Sequence, residues 1–281
     1  MSYTQSDIRA LKIHAAQLRA NLLEMLPPGK TGHLGGSASI MDVTAALYFK
    51  HMRVFPDPKD PRRDRLIFSK GHAVLAQYAA FAELGYVDRK EFKLVKTLHG
   101  TLQGHPDMDK TPGIEAVTGS LGQGLSVSLG LALGLRLDKS DSRVYCVLGD
   151  GELNEGQIWE AAMAAAAFKA DNLCAILDYN KVQATDVIDS VMPNGLIAEK
   201  WTAFGWHVIL IDGHDMAAIL SALDEARTVK DQPTIIIAET IKGKGFSFAE
   251  GKAQFHNAAL SEDQHAQALE LVERMRKEAV I

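Results

Sequence analysis

The chain has 281 residues, 47% of them hydrophobic and 23% charged, with two cysteines and a net charge of −5 from 30 basic and 35 acidic residues. That balance excludes a disordered chain, a collagen-like fibre and a disulfide scaffold, and it offers no basic field for nucleic acid or an anionic membrane. The polar start, Met1–Ala10, has no apolar secretory core, no window of about 18 apolar residues predicts a membrane span, and Cys146 and Cys174 read as buried reduced thiols, so a cytoplasmic protein is expected.

In chain order, Ile8, Leu11, Ala15, Leu18, Leu22 and Leu26 recur at spacings of three and four. They predict an amphipathic helix over residues 4–26, stopped by Pro27-Pro28-Gly29. A glycine-dense loop over residues 30–37 and a helix over 39–50 are expected next, then a surface connection marked by Pro56, Pro58 and Pro61. Arg65 to Ser69 reads as a short strand running into Gly71-His72 and an alanine-rich helix over 73–84. Residues 100–120 read as loop and 122–137 as a helix of small residues. Beyond them, strands over 143–148, 173–178, 206–211 and 234–239 alternate with helices over 155–168, 196–204, 215–227 and 261–278. Apolar, β-branched strands alternating with helices predict an α/β fold, a parallel sheet with helices on both faces. Ligands of such a sheet gather at the strand C-terminal ends. A single domain over 1–281 with a helical N-terminal extension is expected.

The strongest local signal is an apolar strand ending in Gly149-Asp150-Gly151, with a helix a few residues on. Glycine lets a backbone approach an anion closely, and a helix N-terminus offers free N–H groups. Asp150 cannot itself bind phosphate; it suits a cation that bridges to phosphate. The next strand ends in Asp178-Tyr179-Asn180-Lys181-Val182. Adjacent strand ends lie about 5 Å apart, so Asp150, Asn180 and the Val182 carbonyl can converge on one Mg2+, whose remaining positions phosphate and water would fill. Either motif alone is an ordinary turn; together, at consecutive strand ends, they point to a site. Two rival phosphate motifs fail on spacing: a dinucleotide fingerprint would need glycine at Asn154, and a P-loop would need it at Glu24.

Gly149-Asp150-Gly151 followed, after residues 152–178, by Tyr179-Asn180 resembles the thiamine diphosphate motif, with Tyr179 where an Asn is usual. Among ten histidines, His33, His72, His105 and His256 stand out in loops, three of them directly after glycine, which suggests one pocket. Gly32-His33-Leu34-Gly35-Gly36, Ser69-Lys70-Gly71-His72, Gly104-His105-Pro106, Thr118 to Gly124, Gly149 to Gly156 and Lys242-Gly243-Lys244-Gly245 occur in order, ahead of His256. This set resembles the N-terminal half of transketolase over roughly residues 8–275. The resemblance implies a thiamine diphosphate-binding fold holding thiamine diphosphate and Mg2+, with Ca2+ or Mn2+ as substitutes. Asp150, Asn180 and Val182 would hold the metal. His72, Gly151, Glu152, Asn180, Lys244 and His256 would meet the cofactor, and Gly119, Ser120 and Leu121 its aminopyrimidine. His33, His105 and His256 would be catalytic in the substrate channel, and Glu155 would act behind the site or between subunits. Asn257 departs from the family's glycine after the last histidine.

The chemistry suits such residues, because imidazoles near neutral pH can both move protons on sugar hydroxyls and donate to a developing alkoxide. The pyrimidine-binding domain of a full transketolase has no counterpart here. One subunit of a split transketolase is therefore expected, joined to a partner of similar size in an α2β2 heterotetramer and acting on sugar phosphates. The alanine-rich helix around Ile158–Ala167 is a candidate contact. The alternatives are the α subunit of a 2-oxoacid dehydrogenase, half of a 1-deoxyxylulose-phosphate synthase, or a non-catalytic cofactor-binding subunit.

Overall fold

The computed structural model describes residues 3–280. The chain opens with α1 (Gln5–Met25), whose start is fixed by a capping box: Thr4 Oγ1 accepts from the Asp7 N–H at 3.1 Å, and Asp7 Oδ2 accepts from the Thr4 N–H at 2.9 Å. Short helices α2 (Leu34–Ser39) and α3 (Met41–Ala46) follow, the latter running into a π turn at Leu47–His51. Then come β1 (Arg65–Phe68), α4 (Val74–Glu83), α5 (Gln123–Leu137), β2 (Val144–Gly149), α6 (Gly156–Ala167) and β3 (Leu173–Tyr179). The rest comprises α7 (Ile188–Val191), α8 (Ile197–Ala203), β4 (His207–Asp212), α9 (Met216–Thr228), β5 (Thr234–Glu239) and α10 (Glu262–Val280).

The strands form one parallel sheet in the order β1-β2-β3-β5-β4. Alternation along each strand divides its side chains between two cores. Tyr145, Val147, Cys174, Ile176 and Ile236 face α1, α3, α4 and α9; Cys146, Leu148, Ala175, Leu177 and Ile237 face α5, α6 and α8. Helices thus cover both faces, and β1, β2, β3 and β5 read as apolar runs because little of either face meets water, whereas the edge strand β4 exposes Leu210 and Asp212. Helix α1 sits within this packing: Leu11, Leu18, Leu22 and Leu23 belong to the first core, and α10 lies along it.

One boundary departs from the sequence reading. The expected loop over 30–37 is already helical from Leu34. Its glycines answer to packing rather than to a turn: a Cβ on Gly35 would stand 2.9 Å from the Phe255 carbonyl oxygen, and one on Gly36 would stand 3.2 Å from His72 Nε2. Helix α6 begins within one residue of its expected start, after a 3-10 turn over Gly151–Asn154. No helix among the described residues is long and apolar enough to cross a membrane. Both cysteines are free and buried.

Candidate functional site

The loops leaving β1, β2, β3 and β5 converge on one cavity, lined among others by Lys70, His72, Asp150, Gly151, Asn180, Val182, Lys242 and His256. The parallel register sets this up, since Gly149 pairs with Asp178 and carries Asp150 and Asn180 to neighbouring positions at the sheet's edge. Asp150 Oδ2 accepts from the Lys181 N–H at 2.5 Å and Oδ1 from the Gly151 N–H at 2.8 Å. Lys181 is left-handed (φ 66°), a conformation that non-glycine residues adopt at a cost, and it lies between Asn180 and Val182, which both line the cavity. Burial, and then the neighbouring Asp178, push the Asp150 carboxyl up to about 6. A buried carboxylate beside a second one suits a cation that would offset both.

Two lysines supply positive charge. Lys70 Nζ is ion-paired with Asp178 and donates to the Gly36 carbonyl at 2.9 Å, with both charged groups buried. Burial opposes ionisation of Asp178, but Lys70 and the hydroxyls of Ser39 and Thr240 overcome it and lower its pKa. Lys242 Nζ contacts the carbonyl oxygens of Val182 at 2.8 Å and Gln183 at 3.0 Å, and His256 Nδ1 at 3.1 Å. Burial lowers Lys242 to about 8. An ammonium has only donors, so His256 Nδ1 accepts and the neutral ring carries its proton on Nε2. Behind this loop, Ile241 N–H donates to His214 Nε2 at 2.9 Å, His214 Nδ1 meets Asp42 at 2.8 Å, and Arg19 joins Asp42 to the Lys244 carbonyl.

The four loop histidines do gather. Ring centroids lie 4.8 Å apart for His72 and His256, 5.3 Å for His33 and His72, 5.4 Å for His33 and His256, and 5.8 Å for His33 and His105. Burial first, then nearby cationic groups, press His33 and His256 down to about 4 and also lower His72 and His105. All four are therefore neutral at pH 7, each ring with one donor and one acceptor nitrogen.

Other expected positions separate from these. Lys244 lies outside the cavity, in a cleft with α1 and α10, and Lys242 stands where Lys244 was expected. Glycines at positive φ on both sides of Lys244 (Gly243 at 76°, Gly245 at 96°) turn the two lysines to different sides. Glu152 borders the cavity, but its carboxylate accepts from Ser69 Oγ, the Gly122 N–H and the Gly149 N–H. The carboxylate therefore holds three loops in register and has no proton to donate to an anion. Leu121 lines the cavity, Gly119 lies against the His105 ring, and Ser120 is exposed. Glu155 is exposed on the approach to α6.

A diphosphate and a divalent cation fit this arrangement. Gln183 Nε2 is buried without a partner on the cavity wall, a donor in want of an acceptor. Gly151 keeps the space beside it open, since a Cβ there would stand 3.1 Å from Gln183 Cβ. Among the described residues no three His, Cys, Asp or Glu side chains form a metal cluster. The expected donor set differs from such a cluster, being one carboxylate, one amide oxygen and one backbone carbonyl. The Val182 carbonyl has two lone pairs, so its bond from Lys242 leaves one available.

Comparison with known proteins gives a consistent result. Residues 11–273 match the family described as transketolase, thiamine diphosphate binding domain. The chain is 45% identical over 278 residues to the 6-deoxy-6-sulfo-D-fructose transketolase subunit of Clostridium sp. strain MSTE9, covering 98% of this chain and 99% of that protein. It is 39% identical over 277 residues to one of the subunits of the apulose-4-phosphate transketolase of Phocaeicola vulgatus, covering 97% and 98%. The crystal structure of transketolase from Campylobacter jejuni superposes with a TM-score of 0.86 at 29% identity, covering 97% of this chain but only 46% of that one.

Proposed function

The chain belongs to the transketolase family, and from that premise we propose that it is the diphosphate-binding subunit of a two-subunit transketolase moving a two-carbon ketol unit between sugar phosphates. Its partner would carry the pyrimidine-binding domain, in an α2β2 assembly with the active site between chains. Buried, reduced cysteines are consistent with work in the cytoplasm.

The observation that carries this reading is the meeting of Asp150, Asn180, Val182, Lys242 and His256 in one cavity at adjacent strand ends. Asp150, Asn180 and the Val182 carbonyl would hold Mg2+, with Ca2+ or Mn2+ as substitutes. Gly151, His72, His256, Lys242 and Gln183 would receive the diphosphate, and the Gly119–Leu121 backbone would face the aminopyrimidine. Bound thiamine diphosphate supplies the carbon nucleophile that attacks a ketose carbonyl. The protein's part is to position groups and manage protons. His33 and His105, neutral at pH 7, can take a proton from a sugar hydroxyl at one ring nitrogen while donating from the other. His256 offers its Nε2–H to a developing alkoxide.

The test is two-carbon transfer from a ketose phosphate by the purified chain with and without the product of the neighbouring gene. Activity is expected only with both, and full activity from this chain alone would remove the partner from the proposal. Asp150→Ala should abolish metal-dependent thiamine diphosphate binding in calorimetry; unchanged affinity would refute the metal assignment. His105→Ala should lower kcat while cofactor Kd holds, and the reverse pattern would take His105 out of the substrate channel.

A further inference from the structure

Asp178 is fully buried near the end of β3, two residues before Asn180 and paired across the sheet with Gly149. Its carboxylate gathers donors from separate parts of the chain. Lys70 Nζ, Ser39 Oγ and Asn180 Nδ2 donate to Oδ2, the last at 3.1 Å, and Thr240 Oγ1 donates to Oδ1. They come from the turn after β1, from α2, from the loop after β3 and from the residue after β5. A carboxylate offers acceptors only, so the Asn180 amide has to turn its NH2 toward Asp178. On the other side of that amide, the Val182 N–H donates to Asn180 Oδ1 at 3.1 Å. An acceptor on one side and a donor on the other admit a single flip. Reversed, the NH2 would meet the Val182 N–H and the oxygen would meet a carboxylate. Val182 occupies one lone pair of Asn180 Oδ1, and the second remains available on a residue that lines the cavity.

We propose that Asp178 is a positioning residue for the cation. By holding the Asn180 NH2 it aims the amide oxygen into the cavity, and its presence is the reason an amide rather than a carboxylate fits at position 180. The proposal rests on the transketolase reading, which puts a divalent cation at Asn180. Asp178 acts through Asn180 rather than as a ligand, since Lys70 and three neutral donors already surround it. Partners of this kind, one layer behind a ligand, fix its orientation and so set the affinity of a metal they never touch.

The experiment measures Mn2+ affinity by electron paramagnetic resonance in the chain assembled with its partner and saturated with thiamine diphosphate. By charge alone, Asn180→Asp would tighten the hold on a divalent cation. With Asp178 behind it, the new carboxylate has no NH2 to offer and faces a second carboxylate, so Mn2+ should bind at least about tenfold more weakly. A smaller loss, or a gain, overturns the proposal. In an Asp178→Asn background the same substitution should no longer weaken Mn2+. Equal weakening in both backgrounds, the pattern of a purely structural Asp178, overturns it too. Circular dichroism checks that each variant folds, and if Asp178→Asn does not, the single variant decides. If the wild-type assembly takes up no Mn2+ with thiamine diphosphate, the transketolase reading fails, and the orientation is judged on the chain itself. The Asn180 NH2 resonance, assigned by its loss in Asn180→Asp, should then exchange slowly with solvent; exchange as fast as that of an exposed amide would overturn the proposal.

Discussion

Lys242 illustrates how one side chain sets several groups at once. It bridges two carbonyls from the loop after β3 and fixes the His256 tautomer through Nδ1. Lys242→Met should weaken thiamine diphosphate binding by at least about tenfold, the loss of one charge-assisted contact. It should also let the His256 proton redistribute between its nitrogens, visible in nitrogen chemical shifts; a wild-type Kd would argue against the contact. Asp178→Asn would leave Lys70 buried without its carboxylate and should cost about 3–5 kcal/mol in denaturant unfolding. Sequence spacing made Asp150, Asn180, His33, His72 and His105 legible, because each stands beside a glycine or just past an apolar strand; His256 was legible only through its order after Lys242-Gly243-Lys244-Gly245. Lys242 was on view in Lys242-Gly243-Lys244-Gly245, but which of two lysines enters a site depends on left-handed glycine turns that no periodicity encodes. Asp178 was hidden differently: it lies inside β3, fully buried, where a carboxylate reads as a break in a strand rather than as the anchor of a lysine 108 positions earlier.

Elements hold the site through ties between strand ends rather than through any one loop. Glu152 links the end of β1 at Ser69, the approach to α5 at Gly122 and the end of β2 at Gly149. On the far side, Arg19 of α1, Asp42 of α3 and His214 before α9 secure the segment carrying Lys242. Asp42→Ala removes the carboxylate from the buried Arg19 and frees the His214 ring. A stability loss of about 3 kcal/mol is expected, together with weaker cofactor binding. Stability loss with unchanged cofactor Kd would mean that the triad supports the fold alone. Apart from the one-turn α7, read as loop, the helices and strands after Ser140 were readable to within a residue or two, since buried parallel strands and amphipathic helices have opposite patterns. The stretch 34–38 was not, because α2 is built from Leu34-Gly35-Gly36-Ser37-Ala38-Ser39, a composition that reads as loop until the neighbours that require small residues are known.

Across the whole molecule, burial of neutral histidine makes acid the natural stress on this fold. His51 ends the π turn after α3 and packs against Tyr145 of β2 and Arg227 of α9. Its Nε2 accepts from Arg227 Nε at 3.0 Å, while Nδ1 faces Asp224 at 3.7 Å. Burial first, then Arg227, press His51 down to about 3. The unfolded imidazole titrates near 6.5, so between those values the unfolded chain binds the extra proton. The contribution of His51 is therefore complete above about pH 6.5 and is lost as pH falls toward 3, at up to about 1.4 kcal/mol per pH unit. Asp150 works in the opposite sense. Its folded pKa of about 6 lies above the ordinary carboxylate value, so the folded state takes up that proton first and gains stability as pH drops from 6 toward 4. The depressed pKa of His33 and His256, both about 4, and the lowered His72, His105 and His14 add to the histidine side, against three carboxyls that burial raises, Asp150, Glu152 and Glu115. Net stability should thus decline from pH 7 to pH 5. His51→Gln keeps an amide in the same space but cannot take a proton there. Urea unfolding of this variant between pH 7 and 5 should show a slope shallower than wild type by close to one proton. Parallel slopes would mean that His51 is already charged in the folded chain, and that Asp224 rather than Arg227 governs its charge.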